Sequence, residues 1–538
     1  MFLKKLACCS VQAAWLASCA TEAARFHKAS ARPLAVLQQR VLQEILQKSQ
    51  NSLFGRRHRF MSDDRIQDFQ MKISPTEYEG YAEYIDLIAQ GKTDILTSDR
   101  VKMFELTSGS TFATKMIPYT EGLQNSFNRA LHPWLIDLYF NNPGLWGGPA
   151  YWVITPKAES GKTTSGGIKI GFAADSEYFG KYGKHLVELL MAVPASAATI
   201  KEISQWKFET IVCLLCCADL RLISLWNPTL IYSLLAEIQP SQRQIAETIA
   251  ARAGKKRALE FLDAANALET SDYQSFSRQM WPQLALVSSW SEAEATNDAR
   301  QLQHDFAQAR FQTKGILATE APVTIPITGA PAPVLAARSA FFEFIEPQTG
   351  KIKLAHQLEK GQTYSLLITT FGGLFRYRLH DLVKVAGWWN NLPCLSFAGK
   401  EAIIVDLCGE KLNARHLKQI FNSLIPGADA AFVAPERPED RSFPFYCLFI
   451  SRQNFFPELA DRFNQALCEN FHYRWCIENG QLQKLKVVPL PLNNRELLQS
   501  RLERMAQLGL QTSTAKTGVL TRLDGWQRWF SGLPGRDH

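Results

Sequence analysis

The chain has 538 residues, too many for one hydrophobic core, so two to four domains or subdomains are expected. With 46% hydrophobic and 20% charged residues, its composition excludes a disordered or fibrous protein and is typical of a soluble globular one. Its net charge of +8 is spread along the chain rather than gathered in blocks, so nucleic acid is not among the predicted partners.

The N-terminus begins like a signal peptide, and Leu16-Ala-Ser-Cys19 resembles a lipoprotein cleavage box. However, Gln12 interrupts the apolar run and a helical pattern continues past Thr21, which favours a helix of a cytoplasmic protein over export. No apolar run reaches the roughly 18 residues of a membrane span, so no membrane partner is predicted. The eleven cysteines favour a reducing compartment. Cys213-Leu-Leu-Cys216 has metal-like spacing, but no second pair accompanies it, and a buried helix explains it better.

Helical spacing predicts two helices within residues 10–50, divided at Arg32-Pro33, and a further helix that begins at Ser74-Pro75 and stops at Gly91. A long amphipathic helix is predicted from Thr120. Short strand-like runs then alternate with helices predicted at 182–192, 228–238 and 242–268; these runs are Tyr151–Thr155, Ile168–Gly171 and Leu220–Ser224. Such alternation is typical of an α/β fold with a largely parallel sheet.

A denser β region is predicted from about residue 313 to 408, and the pattern changes near Gly399-Lys400 to a smaller α+β unit. The predicted fold class is therefore α/β. We expect a large N-terminal α/β domain over residues 1–398 and a small C-terminal α+β lid domain over residues 399–538.

The segment Phe104–Pro118 carries the strongest chemical signal. After an apolar strand-like run it places four hydroxyls, a glycine and a lysine in a tight loop: Thr107, Ser108, Gly109, Ser110, Thr111 and Lys115. Backbone N–H groups and hydroxyls can donate hydrogen bonds to a polyphosphate, and a lysine adds a point charge. The spacing differs from the P-loop pattern G-x-x-x-x-G-K-[ST], so the sequence predicts another kind of phosphate loop, with a plain surface turn as the alternative.

Further candidate residues follow in chain order. Thr319 and Glu320 set a hydroxyl beside a carboxylate, a pair suited to Mg²⁺ and phosphate oxygens. Phe341 offers an aromatic face for a purine, and the Asp381 carboxylate can accept hydrogen bonds from both ribose hydroxyls. Two lysines come from the C-terminal unit, namely Lys411 and Lys516. Each signal is weak alone, because lone aromatics usually belong to the core and lone lysines to the surface.

Together these motifs resemble the Gretchen Hagen three (auxin-responsive promoter) family of acyl-acid amido synthetases, within the adenylate-forming superfamily, over nearly the whole chain. Thr370-Phe-Gly-Gly-Leu-Phe-Arg-Tyr-Arg-Leu-His-Asp381 resembles the family motif T-x-x-G-L-Y-R-Y-R-x-G-D. Phe54-Gly-Arg-Arg-His-Arg-Phe60 with Asp68-Phe-Gln70 resembles its N-terminal signature, and Leu222-Ile-Ser-Leu-Trp-Asn-Pro228 resembles a strand and helix start common in its bacterial members. The resemblance implies the adenylate-forming enzyme fold, with β-sheets and a β-barrel-like subdomain in the large domain.

The resemblance also implies roles for the candidate residues. The ATP phosphates would be held by Thr107, Ser108, Ser110 and Thr111, with Gly109 and Lys115 in the same loop. Thr319 and Glu320 would contact the α-phosphate and Mg²⁺. Phe341 stands where the family has its adenine-stacking tyrosine, and Asp381 where it has its ribose-binding aspartate. Lys411 and Lys516 match the two lysines that approach the nucleotide as the lid turns, so the implied catalytic residues are Lys516, Lys411 and Glu320.

Two residues depart from the family pattern. Ala113 stands where the phosphate loop usually has a second glycine, and His380 stands where glycine is usual before the aspartate. His380 either contacts a substrate or is a local structural substitution, and the structural reading is the default.

The implied function is that of an ATP-dependent acyl-acid amido synthetase with ATP and Mg²⁺ as cofactors, acting as a cytoplasmic monomer. It would adenylate a small carboxylic acid, release pyrophosphate, and transfer the acyl group to an amine such as an amino acid. The alternatives are a thioester-forming ligase that uses coenzyme A and a non-catalytic nucleotide-binding relative. The acid itself is not predicted, because Trp134, Tyr151, Trp152 and Trp226 either line an apolar pocket or belong to the core.

Overall fold

The computed structural model describes residues 2–107, 115–153, 163–171, 190–200, 202–292, 295–401, 404–428, 430–438, 442–507 and 518–532. The chain divides into two compact units; the first comprises residues 1–107 and 115–401, and the main part of the second begins at Ala402. Each unit buries hydrophobic cores of its own.

The first unit contains both long helices and short connecting ones. Those that the structure describes are α1 (Phe2–Ser30), α2 (Leu34–Ser49), α3 (Leu53–Arg57), α4 (Ile66–Lys72), α5 (Ala82–Ala89), α6 (Glu121–Asn141), α7 (Ile203–Cys216), α8 (Leu230–Leu235), α9 (Ile238–Ala253), α10 (Lys255–Glu269), α11 (Tyr273–Met280) and α12 (Thr296–Asp305). The expected division at Arg32-Pro33 is confirmed. The single helix expected over 242–268 is wrong, because Gly254 adopts φ +93° and separates α9 from α10. The helix expected at 182–192 falls mostly outside the described residues.

Helix α1 continues without a break past the cleavage-like sequence at Cys19. Trp15, Leu16 and Cys19 are buried in a cluster with Leu135 and Leu138 of α6. The helix predicted for this segment is thus confirmed. Of the helices that the structure describes, none is both long enough and apolar enough to cross a bilayer.

Helix α6 begins where the sequence predicts. The Thr120 hydroxyl accepts a hydrogen bond of 3.1 Å from the backbone N–H of Leu123, which caps the helix. Glu121 lies in the first turn, where a negative charge complements the helix dipole. The cysteine pair of Cys213-Leu-Leu-Cys216 lies in the apolar helix α7, as expected.

The strands of the first unit form three sheets in its described part. Their bounds are β1 (Val101–Thr107), β2 (Lys115–Thr120), β3 (Ala150–Trp152), β4 (Lys169–Ile170), β5 (Leu222–Ser224), β6 (Leu286–Ser289), β7 (Arg310–Thr313), β8 (Thr324–Ile325), β9 (Val334–Leu335), β10 (Ala340–Ile345), β11 (Ile352–Leu354), β12 (Thr363–Thr370), β13 (Tyr377–Trp389) and β14 (Leu392–Lys400). One sheet has the order β3-β5-β6-β7, and all its neighbouring strands are parallel. The parallel sheet predicted from the alternation of strands and helices is therefore confirmed.

A second sheet holds seven strands in the order β11-β10-β12-β13-β14-β9-β8, and every pairing in it is antiparallel. It corresponds to the dense β region predicted after residue 313. Its end strands β11 and β8 do not pair with each other among the described residues, so the expected barrel-like subdomain is here an open sheet rather than a closed one. The third sheet, β2-β1-β4, pairs β1 antiparallel with β2 and parallel with β4.

The second unit is an α+β structure, as expected. Its strands are β15 (Ile404–Val405), β16 (Leu412–Asn413), β17 (Phe432–Glu436), β18 (Phe445–Ser451) and β19 (Lys486–Leu490), and its described helices are α13 (Ala414–Leu424), α14 (Leu459–Leu467), α15 (Phe471–Glu478), α16 (Asn494–Gln507) and α17 (Trp526–Ser531). In the sheet β17-β18-β19, Val433 and Leu448 belong to one buried cluster and Phe432 and Phe449 to another. Because alternate residues of a strand point to opposite faces, both faces of this sheet are covered.

Candidate active site

The predicted phosphate loop follows strand β1, as the sequence predicts, and precedes β2. Thr107 pairs with Lys115 in an antiparallel register, so the residues between them connect two adjacent strand ends. Ser108, Gly109, Ser110, Thr111 and Ala113 lie outside the described residues, as do the side chain of Thr107 and the whole of Lys516. Their roles in phosphate binding and catalysis therefore stay predictions.

Lys115 lies at the start of β2, and among the candidate residues of the loop its side chain is the one that the structure describes. Its ammonium donates a hydrogen bond of 3.0 Å to the hydroxyl of Tyr377. The same ammonium lies 5.4 Å from the ring centre of Tyr78 and 5.5 Å from that of Tyr377, close enough for both rings to attract it. The lysine is buried, with 9% of its surface exposed, so its charge is held in place rather than free in solvent.

The negative charge of Glu320 influences the tyrosines that face Lys115. Burial raises the pKa of Tyr377, and the negative charges of Glu320 and Glu77 raise it further. The pKa of Tyr78 is also raised, mainly by burial, with Glu320 among the contributing charges. The charge of Glu320 therefore acts on both tyrosines whose rings face the Lys115 ammonium.

A tight hairpin carries Thr319 and Glu320 at its tip. The Val323 N–H donates to the Ile316 carbonyl at 2.8 Å, and the Ile316 N–H donates to the Thr324 hydroxyl at 2.8 Å. Gly315 begins the hairpin, and a Cβ at this position would lie 2.0 Å from the Thr324 carbonyl oxygen. Only glycine fits this approach, so the position of Glu320 depends on the absence of a side chain at residue 315.

The first arginine of the F-R-Y-R motif is structural. Arg376 makes two hydrogen bonds of 2.9 Å to the two carboxylate oxygens of Glu343, and both side chains are buried. Its guanidinium also donates to the carbonyls of Ile73 at 2.7 Å and Gln70 at 3.2 Å, while the Gln70 amide donates to Glu343 at 2.7 Å. This network joins the N-terminal signature to the seven-stranded sheet. Sequence reasoning missed it, although a glutamate between aromatic residues of a buried strand implies a buried partner.

Asp381 and His380 lie at a bulge in β13. Ser365 of β12 is opposite Leu382 and Leu367 is opposite Arg378, so the residues between Arg378 and Leu382 face a single residue of β12. Asp381 is 6% exposed, and in the ladder between β13 and β14 it lies opposite Lys400. His380 adopts φ +62°, a left-handed conformation that glycine adopts most easily. This conformation explains why the family usually has glycine at that position.

The imidazole of His380 lies between two carboxylates. Its Nδ1 is 2.9 Å from a Glu401 oxygen and its Nε2 is 2.7 Å from a Glu77 oxygen. Arg378 approaches the same two carboxylates, at 3.7 Å from Glu77 and 3.4 Å from Glu401. Both ring nitrogens thus have partners within the chain, which favours a local structural substitution over a substrate contact at His380.

Phe341 is fully buried in the core of the first unit. Its ring meets that of Phe69 edge-on, with 6.2 Å between the ring centres. Stacking on adenine needs an accessible ring face, and this structure places the ring among core side chains instead. The adenine-stacking role stays a prediction that requires the ring to become exposed.

In the second unit, Lys411 lies in the turn between β15 and β16 and adopts φ +49°. The preceding carboxylate, that of Glu410, is fully buried and accepts hydrogen bonds from the N–H groups of Leu407 at 2.7 Å and Cys408 at 2.8 Å, and from the Tyr446 hydroxyl. Burial raises the pKa of Glu410 to about 7. These bonds hold the turn that carries Lys411.

Three buried side chains beside this turn have metal-ligating atoms within 4.8 Å of one another, namely Cys408, Glu410 and Cys476. The Cys408 thiol already donates to Glu410 at 3.2 Å, and Cys476 donates to the Cys408 carbonyl at 3.5 Å. Burial raises the pKa of the Cys408 thiol well above its ordinary value. Internal hydrogen bonds thus account for this group.

The aromatic residues left open by the sequence belong to different environments. Tyr151 and Trp134 are buried, Trp152 is half-buried, and Trp226 is 46% exposed. Three of them, all tryptophans, surround the ammonium of Lys314, which is 4% exposed. Sequence reasoning missed Lys314, since its neighbours in space come from distant parts of the chain.

Sequence profiles of two domains match this chain. The GH3 family N-terminal domain matches residues 22–309, more than half of the chain, and the GH3 family central domain matches residues 333–400.

Similar proteins include the indole-3-acetic acid-amido synthetase GH3.4 of Arabidopsis thaliana, which is 22% identical over 424 residues and is matched over 71% of this chain and 70% of that protein. The probable indole-3-acetic acid-amido synthetase GH3.6 of Oryza sativa subsp. japonica is 32% identical over 145 residues, which are 24% of this chain and 30% of that protein. Among solved structures, AtGH3.15 acyl acid amido synthetase in complex with 2,4-DB has a TM-score of 0.63 at 16% identity, over 96% of each chain. The expected fold class, with a large α/β part and a smaller C-terminal part, is thereby confirmed.

Proposed function

The chain belongs to the GH3 family, and from that premise we propose that it is an ATP-dependent acyl-acid amido synthetase. Such a ligase joins a small carboxylic acid to an amine, and the family's amido synthetases of indole-3-acetic acid and the 4-substituted benzoates-glutamate ligase GH3.12 of Arabidopsis thaliana act on substrates of these two classes. The observation that carries the proposal is the buried hydrogen bond between Lys115 and Tyr377 at the end of the predicted phosphate loop, because it joins two motifs of the family resemblance.

In the proposed first step, a carboxylate oxygen of the acid attacks the α-phosphorus of ATP and pyrophosphate leaves. Negative charge builds up on the phosphate oxygens, and the buried ammonium of Lys115 would stabilise it. The residues Thr107, Ser108, Gly109, Ser110 and Thr111 would hold the phosphates, and Asp381 would hold the ribose. Lys411 and Lys516 would supply further positive charge from the C-terminal unit.

The hairpin tip fits a magnesium ion. Thr319 and Glu320 offer a hydroxyl and a carboxylate, the hard oxygen donors that Mg²⁺ prefers. When bound, Mg²⁺ neutralises charge on the phosphate oxygens. Glu320 is 7% exposed, so a metal ion bound by its carboxylate would be largely shielded from solvent.

In the proposed second step, the nitrogen of an amine attacks the acyl carbonyl carbon, AMP leaves, and the amine loses a proton.

We propose that the chain is a cytoplasmic monomer, that the domains are residues 1–398 and 399–538, and that Gly399-Lys400 is the hinge of the lid. Gly399 adopts φ +115° near the end of β14, and the main part of the second unit begins three residues later at Ala402, which supports a hinge close to this place.

The proposal is tested by measuring pyrophosphate release from ATP and Mg²⁺ across a panel of carboxylic acids, with hydroxylamine as a general amine trap. A hydroxamate formed from one acid would establish adenylation and identify the acyl substrate, and amino acids would then replace hydroxylamine. Coenzyme A as the acceptor distinguishes amide formation from thioester formation. Absence of acid-dependent pyrophosphate release from folded protein would contradict the proposal.

A further inference from the structure

The parallel sheet β3-β5-β6-β7 has a chemically unusual edge. The carboxyl ends of its strands lie on one side, and open parallel sheets bind ligands at that side. Lys314 follows β7 directly, and its N–H continues the ladder by donating to the Ser289 carbonyl at 3.1 Å. A buried cation is therefore placed at the edge where a ligand is expected.

The Lys314 ammonium is surrounded by aromatic faces. It lies 4.9 Å from the ring of Trp226, 5.5 Å from that of Trp134 and 5.9 Å from that of Trp152, within the distance at which indole faces attract a cation. It also donates a hydrogen bond of 2.7 Å to the hydroxyl of Ser224 at the end of β5. We call these residues, Lys314, Ser224 and the three tryptophans, the lysine cage.

The lysine cage adjoins the hairpin of the candidate active site. Lys314 immediately precedes Gly315, where that hairpin begins, and Glu320 lies at its tip. Of the three indoles, that of Trp226 is 46% exposed, so one wall of the cage reaches the surface. A ligand held in the cage would thus lie at the base of the hairpin whose tip carries the carboxylate to which the proposed function assigns Mg²⁺.

The chemistry of the cage distinguishes between two kinds of anion. A single ammonium among indole rings matches a small molecule with one negative charge and an apolar body. It matches a triphosphate poorly, because several negative charges would be brought against apolar rings with one cation to offset them. The observations therefore favour the acid rather than the nucleotide.

We propose that Lys314 binds the carboxylate of the acyl-acid substrate and that the three tryptophans of the cage contact its apolar body. This inference rests on the proposed function for the identity of the substrate class. It assigns to Lys314 the recognition of the acid's charge, and to Trp134, Trp152 and Trp226 the selection of compact apolar acids over polar ones.

The first test compares Lys314→Met with Lys360→Met, in which an exposed lysine loses its charge. With an acid that the wild type adenylates, Lys314→Met should raise the KM for the acid at least about tenfold while the KM for ATP stays within about twofold, since a charged hydrogen bond to the acid alone is lost. Lys314→Arg, which keeps the charge, should restore part of the affinity, and Lys360→Met should change neither KM. An ATP KM raised as much as the acid KM, or an unchanged acid KM, would overturn the proposal.

The second test does not depend on turnover, so it separates this inference from the proposed function. Indole fluorescence is titrated, without ATP, with benzoate and hexanoate and with their neutral amides, benzamide and hexanamide. At least one acid should bind the wild type more tightly than its amide, and the difference should vanish in Lys314→Met, with circular dichroism confirming that the variant is folded. Equal binding of acid and amide by the wild type, or no saturable binding of either acid, would overturn the inference even if pyrophosphate release is observed.

Discussion

The ammonium of Lys115 and the hydroxyl of Tyr377 lie 3.0 Å apart, although 262 residues separate them in the chain. This hydrogen bond joins the strand that follows the predicted phosphate loop to the F-R-Y-R motif. Since Tyr377 is fully buried, water does not compete for its hydroxyl, and the hydroxyl holds the ammonium in one position. Two motifs that resemble those of one family thus form one structural unit.

Loss of the Lys115 charge should impair adenylation. We expect Lys115→Met to lower acid-dependent pyrophosphate release about 100-fold, because a preorganised cation near the phosphates stabilises the transition state. Tyr377→Phe keeps the cation but removes its hydrogen bond, and should have a smaller effect. The double variant should be no slower than Lys115→Met, since residues that act as a unit are not additive. If the fold-losses in rate of the two single variants multiplied in the double variant, the residues would act independently, which would contradict this coupling.

Removal of one partner of the buried ion pair should destabilise the first unit. Arg376→Met leaves the Glu343 carboxylate buried without its bidentate partner, and we expect a loss of about 3–5 kcal/mol. The measurement is the shift in the urea unfolding transition. The matched variant Arg376→Met with Glu343→Gln, which removes both charges, should recover part of the loss. A double variant less stable than Arg376→Met would show that the pair is not the cause.

The left-handed backbone conformation of His380 can be tested by comparing the stabilities of its glycine and alanine variants. His380→Gly and His380→Ala both lose the contacts with Glu77 and Glu401, so they differ chiefly in the backbone. At φ +62°, glycine avoids a strain of about 1 kcal/mol that alanine retains. We expect the glycine variant to unfold at higher urea concentration than the alanine variant. The reverse order would mean that residue 380 does not adopt this conformation in solution.

Glu292 should make stability depend on pH. Burial raises its pKa from 4.5 to about 7, although the Phe397 N–H donates to it at 2.7 Å. Between these two pKa values the folded chain holds a proton that the unfolded chain has released. The corresponding stability is fully present below about pH 4.5 and is lost as the pH rises through about 7. The melting temperature of Glu292→Gln should therefore fall less than that of the wild type between pH 5 and pH 8, and parallel pH curves would contradict the prediction.

Short-range patterns account for what could be predicted from the sequence. The strand before the loop, the helix start at Thr120 and the parallel sheet all follow from composition and spacing over a few residues. The break at Gly254 was not predicted, because a single glycine in a periodic pattern is compatible with a continuous helix. The burial of Phe341 was equally ambiguous, since an aromatic residue in a strand fits a core as well as a binding face.

The site depends on contacts that no local pattern encodes. Lys314 and Ser224 are 90 residues apart, and Arg376, which immediately precedes β13, is 33 residues from Glu343 of β10. Such pairs are set by the order of strands in a sheet, which the spacing of motifs along the chain does not specify. Resemblance to a family indicated which motifs matter. The structure then distinguishes the motifs that contribute charged side chains to the candidate site from those that stabilise the fold.

The network around Arg376 has a consequence for biosynthesis. The Gln70 carbonyl accepts from a guanidinium 306 residues later, and Gln38 of α2 donates to the Ala337 carbonyl 299 residues later. At about 5–20 residues per second, the ribosome needs about 15–60 s to supply these partners. During that interval the N-terminal helices have been made but lack the strands that complete their packing. The first unit therefore reaches its final structure only after Arg376 has left the ribosome, and a nascent chain stalled before it would expose the apolar faces of its earliest helices.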